Sequence, residues 1–136
     1  MREIKIGERI LTLEVKITRE MLLNYCRIIK EVNPIHFDEK YARSLGFKDI
    51  VVQGVFTFGF MTKMLTDWTG DPTRLKSLEI RFQSPVYADD IVVFSGIIKR
   101  IFEQHGEQLI ECEVWAEKKD GERVMEGVAV VSMERS

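Results

Sequence analysis

The segment Glu31-Val32-Asn33-Pro34-Ile35-His36-Phe37-Asp38 places a carboxylate, an amide and an imidazole close together around a proline. Pro34 has no backbone donor, and its ring pushes Asn33 out of the α region. The segment therefore reads as a bent, extended excursion between two helical stretches. On such a bend a side chain is aimed at a point that a neighbouring carboxylate also reaches. His36 is one of two histidines in the chain. An imidazole and a carboxylate facing one small molecule transfer protons near neutral pH. Glu31 and His36 are the candidate acid–base pair. Asp38 reads first as a helix cap and second as a reserve carboxylate. Asn33 suits the bend, bonding local backbone and standing where it also orients a ligand.

The elements that must hold this pair follow from periodicity. Residues 10–16 alternate apolar and polar, as a half-buried strand does. Thr18 is the expected cap of a helix whose apolar residues Met21, Leu22, Tyr25, Cys26, Ile28 and Ile29 keep helical spacing and which stops before Asn33-Pro34. A second short helix is expected from Asp38 to Leu45, ended by Gly46, with Tyr41, Ala42 and Leu45 as its apolar edge. Gly54 opens the most apolar segment of the chain, which runs to Trp68 and ends at Gly70 and Pro72. A helix apolar nearly all round is expected to be buried on most sides. After Pro72 the period becomes two, giving strands over residues 75–83, 91–101, 108–117 and 123–133. Asp120-Gly121 is a hairpin signal, and His105 beside Gly106 reads as a surface turn. The fold class is α+β, a curved antiparallel sheet wrapped around a long central helix.

Composition narrows the function. The 136 residues suit one domain, 1–136, and a 45% hydrophobic content is ordinary for a globular chain. Twenty basic and 22 acidic residues give a net charge of −2 with no basic stripe, so nucleic acid is not an expected partner. The charged N-terminus has no apolar run behind it, and no stretch is long enough to cross a bilayer. A cytoplasmic protein without a membrane partner is the expectation. Cys26 and Cys112 lack metal-ligand spacing and read as buried, reduced thiols; no metal site is expected.

Asn33-Pro34-Ile35-His36, followed by Tyr41-Ala42, Gly46-Phe47, Ile50-Val51 and Gln53-Gly54, resembles the hydratase motif of MaoC-like, hot-dog-fold dehydratases. Trp68, Gly70-Asp71-Pro72, Arg81-Phe82 and Pro85-Val86 agree with it. The resemblance implies a hot-dog fold and a dimer whose sheets join edge to edge. It also implies reversible hydration of trans-2-enoyl thioesters to (R)-3-hydroxyacyl thioesters, carried on coenzyme A or acyl carrier protein, with no cofactor. The family's catalytic pair maps to Glu31, at the position of an aspartate, and His36. Asn33, Gln53 and Gly54 become substrate-binding candidates, Gly54 through a helix-start N–H that a thioester oxygen approaches closely. Phe56, Phe58, Phe60, Met61 and Met64 serve the core and line part of an acyl tunnel. Lys63, Arg81, Lys99 and Arg100 are candidates for a basic entrance.

Three departures stand out. Lys30-Glu31 replaces Gly-Asp, Val52-Gln53-Gly54 replaces Ala-His-Gly, and Asp89-Asp90 replaces Gly-Asp. The first lengthens the carboxylate arm by one methylene. Two rival functions stay open. One is an acyl-thioester hydrolase on the same fold. The other is a non-catalytic acyl-binding subunit of a heteromeric dehydratase. A homodimer or higher oligomer is expected, with a heterodimer as the variant.

Overall fold

The computed structural model describes residues 4–133. Residues 1–3, part of the charged start, and residues 134–136, the end of the expected domain, lie outside the described residues.

Five strands form one sheet: β1 (Leu13–Lys16), β2 (Leu75–Phe82), β3 (Ile91–Gln104), β4 (Glu107–Lys118) and β5 (Arg123–Ser132). Their order is β1-β3-β4-β5-β2, and every pairing is antiparallel. The β3–β4 hairpin turns on His105 and Gly106, both at positive φ, as a two-residue turn between twisted strands requires. β1 is shorter than the sequence suggests. Before it the chain is tied to β3 irregularly, through Ile10 N–H to Gly96 O at 3.1 Å and Gly7 N–H to Ile98 O at 2.7 Å.

Three helices lie between β1 and β2: α1 (Arg19–Ile29), α2 (Glu39–Ser44) and α3 (Gly54–Thr69). Thr18 caps α1 by accepting from Met21 N–H, and Asp38 caps α2 by accepting from Tyr41 N–H. Gly70 ends α3 in the left-handed region at φ 75°. The side chains of Met61, Met64 and Leu65 are fully buried in one core with Phe94, Ile98, Val114 and Ala129 of the sheet. This is the expected α+β architecture of a central helix against an antiparallel sheet.

α3 is buried on most sides, as expected: among its residues only Val55, Gly59, Lys63 and Asp67 are exposed, one stripe at four-residue spacing. The sheet covers one face, and α1 covers part of the rest, through Tyr25 stacked on Phe56 with ring centroids 4.4 Å apart. One expectation needs correction: the apolar edge of α2 is half realised, since Ala42 is buried while Tyr41 and Leu45 are exposed.

Candidate active site

α1 stops at Ile29 because Lys30 turns into the left-handed region at φ 56°. Its N–H and that of Glu31 close the helix on the carbonyls of Arg27 and Cys26. That turn delivers Glu31 back beside the helix it has just left. Pro34–His36 then forms one 3₁₀ turn, not an extended excursion. Asn33 is extended, as a residue before proline should be, but proline at the first helical position is compatible with a tight helical turn. Asn33 Oδ1 accepts from Ile35 N–H at 3.2 Å and caps the turn. Its side chain is therefore engaged with local backbone.

The outcome is that Glu31 and His36 meet. Glu31 Oε1 lies 3.4 Å from His36 Nε2, and the two side chains are mostly buried, 19% and 14% exposed. Glu31 Oε2 accepts from the Val32 N–H at 3.2 Å. His36 Nδ1 lies 2.6 Å from the Val51 carbonyl. A carbonyl only accepts, so Nδ1 carries a hydrogen and Nε2 is the nitrogen free to gain or lose a proton. That fixes both the ring orientation and the atom that exchanges protons with whatever lies beside Glu31.

Val51 grips the 3₁₀ turn twice, because its N–H also donates to Ile35 O at 2.9 Å. The strut is tied behind to the segment after β2, through Val52 N–H to Val86 O and Ala88 N–H to Ile50 O. It is anchored ahead by Asp49, whose two carboxylate oxygens lie 2.8 and 2.7 Å from Arg19 Nη2 at the start of α1. Asp49 Oδ1 also accepts from Ile50 N–H at 2.7 Å. Burial pushes the Asp49 carboxyl up, but the Arg19 hydrogen bond, the Ile50 N–H and the Arg19 charge together hold it below the usual carboxylate range.

Gln53 precedes α3 and does not cap it with its side chain. Its amide is buried and turns to Cys26, Nε2 donating to Sγ at 3.2 Å. The Cys26 thiol in turn donates to the His36 carbonyl at 3.4 Å. Burial pushes the Cys26 thiol up, with the Gln53 bond pulling against it and the charge of Glu31 adding to the rise. Cys26 is thus part of the site's support, which its helical spacing alone did not announce. Both cysteines are free and buried, as expected.

Gly54 faces elsewhere. It lines a cavity of about 410 Å³ with Thr57, Phe82, Val86, Met125 and Val51. A Cβ at Gly54 would meet the Phe82 ring at 3.0 Å, so the ring lies directly on the helix entry. Phe56 N–H and Thr57 N–H both donate to the Gln53 carbonyl, so the N–H groups of Gly54 and Val55 open the helix ahead of its ladder, at the positive end of its dipole. Val51 joins the two regions: its carbonyl holds His36, and the residue also lines the cavity. Glu31, His36 and Gln53 do not line it.

The basic candidates are all ion-paired on the surface: Lys63 with Asp67, Arg81 with Glu126, Lys99 with Glu113 and Arg100 with Glu111. None of them lines this cavity. His105 is exposed, as expected. Among the described residues no group of three or more His, Cys, Asp or Glu is placed to hold a metal ion. No helix among them is long and apolar enough to cross a membrane.

Residues 3–123 match the family described as MaoC like domain. The chain is 33% identical over 72 residues to the 3-oxo-4,17-pregnadiene-20-carboxyl-CoA hydratase beta subunit of Mycobacterium tuberculosis, a stretch covering 53% of this chain and 56% of that protein. The structure is similar to that of the ChsH1-ChsH2 complex from Mycobacterium tuberculosis, with TM-score 0.81 and 24% identity over 96% of this chain and 98% of that one. It is also similar to an (R)-hydratase from A. caviae involved in PHA biosynthesis, with TM-score 0.84 and 16% identity over 98% and 100% of the two chains. At these identities the two structural likenesses speak for the hot-dog fold.

Proposed function

The chain belongs to the MaoC-like domain family, one of hydratases and dehydratases, and from that premise we propose that it adds water reversibly to trans-2-enoyl thioesters, giving (R)-3-hydroxyacyl thioesters. The observation that carries this is the 3.4 Å approach of Glu31 Oε1 to His36 Nε2, with the far ring nitrogen locked on Val51. Two groups at that spacing, one protonated and one not, are an acid and a base aimed at one point. A water held there gives a proton to the base as its oxygen attacks C3. The acid delivers its proton to C2. Negative charge that gathers on the thioester oxygen during attack meets the N–H of Gly54 at the positive end of α3. Dehydration runs the same roles in reverse.

The apolar cavity beside Gly54 suits the part of the substrate beyond the reacting carbons, since its walls are largely Val, Phe, Pro and Met with few polar groups. A carrier of coenzyme A or acyl-carrier-protein type supplies the thioester. The relative named as a beta subunit and the neighbour titled as a complex support assembly with a second chain, like or unlike. The free edge of β2 is a surface such an assembly would use.

Crotonyl-CoA offered to the purified chain tests the proposal. Loss of enoyl absorbance without release of free thiol is the expected result. Thiol release would indicate a hydrolase, and activity only after a second protein is added would indicate a subunit that depends on its partner.

A further inference from the structure

Among the described residues, Gln53 Oε1 is the buried side-chain polar atom without a hydrogen-bond partner. An unpaired buried oxygen costs free energy, so its retention calls for a reason. Turning the amide over does not remove the problem. The Cys26 thiol hydrogen goes to the His36 carbonyl, which leaves the sulfur as an acceptor, and the sulfur needs the Gln53 Nε2–H that it has. Oε1 is therefore the free end, and what it lacks is a donor.

Proton accounting in the proposed reaction leaves one donor over. The acid–base pair holds one proton before and after hydration: the base takes one from water, and the acid gives one to C2. The second hydrogen of the water stays on the oxygen now bonded to C3. In a closed site that hydroxyl needs an acceptor. After hydration one member of the pair holds the proton taken from water and the other, its proton given up, is directed at C2 and not at the new hydroxyl. Gln53 belongs to the same cluster, through Cys26 and the His36 carbonyl, and it sits two residues after the Val51 that orients His36.

We propose that Gln53 Oε1 accepts the hydrogen bond of the C3 hydroxyl, which makes Gln53 a substrate-contacting residue that favours the 3-hydroxyacyl ligand over its deoxy counterpart. This rests on the hydratase reading. It gives a physical role to the position where the resemblance calls for a histidine.

The test compares (R)-3-hydroxybutyryl-CoA with butyryl-CoA by calorimetric titration. Every protein carries His36→Ala, so that the hydroxy ligand is not dehydrated. With Gln53 present, the hydroxy ligand binds about tenfold tighter, the size of one neutral hydrogen bond. In Gln53→Met the two ligands bind alike, and the free protein melts close to its parent, because removal of a buried unpaired oxygen offsets the loss of the weak N–H···S bond. Gln53→Asn, which keeps the amide on a shorter arm, also loses the preference and covers the case in which the methionine variant does not fold. A preference that survives in either folded variant overturns the inference. Equal binding of both ligands with Gln53 intact overturns it too, while the unmodified enzyme's hydration of crotonyl-CoA leaves the function standing. Failure to bind either ligand, together with no hydration by the unmodified chain, overturns both.

Discussion

Around the first turn of α3, one side carries Glu31, His36, Cys26 and Gln53, tied to one another and to backbone from α1, the 3₁₀ turn and the Val51 strut. The other side carries Gly54 and an apolar cavity under Phe82, a ring that is 53% exposed. Polar atoms on the first side are held at fixed angles, while the second side is held by contact alone. Under the proposed hydratase function, the difference separates two tasks. Proton transfer fails when an atom is displaced by an ångström, so that side is over-determined by hydrogen bonds. An acyl chain needs room and dryness, and apolar walls supply both while tolerating movement.

The largest contrast is expected from shortening the carboxylate. Glu31→Asp withdraws the oxygen by roughly 1.5 Å and should lower crotonyl-CoA hydration ~100-fold, because the present backbone already brings the longer arm to His36. A rise in rate would mean that glutamate is a defect. On the apolar side, Gly54→Ala puts a Cβ at 3.0 Å from the Phe82 ring. The half-exposed ring can move, so melting should hardly change while kcat/KM falls about tenfold, and Phe82→Leu should restore most of it.

Smaller effects probe the supports. Lys30 adopts the left-handed conformation at φ 56° that glycine adopts without strain. Lys30→Gly should raise stability by ~1 kcal/mol in denaturant titration and leave turnover unchanged. Asp49 tests the strut through pH. Its carboxyl is held below the usual range against the opposing effect of burial, by Arg19 and the Ile50 N–H. A folded pKa below the unfolded one means stability that is present above ~pH 4 and lost as pH falls through the folded value. Asp49→Asn should therefore narrow the gap between neutral and acidic melting temperatures, by a modest amount because the pair is partly exposed.

Much of this arrangement was legible in the chain. Thr18, Asp38, Gly70 and the period change after Pro72 marked real boundaries, because caps and alternation act locally. That Glu31 and His36 come together was expected from a motif whose parts are near in sequence. What escaped was non-local. The Val51 carbonyl, the Cys26 thiol and the Arg19–Asp49 pair join residues 15, 10 and 30 positions apart, and no periodicity encodes a backbone acceptor's direction. The apolar edge of α2 was overestimated for a related reason: hydrophobicity tells which residues seek cover, not which neighbours the fold supplies.

The most direct measurement is a double-mutant cycle on crotonyl-CoA hydration with His36→Ala, Glu31→Gln and the two combined. Each single change should cost ~10²–10⁴ in kcat, and the combination should cost little more than the worse single change, because one proton relay can be broken only once. Losses that multiply independently, or near-full turnover in either single variant, would contradict a shared water between Glu31 and His36.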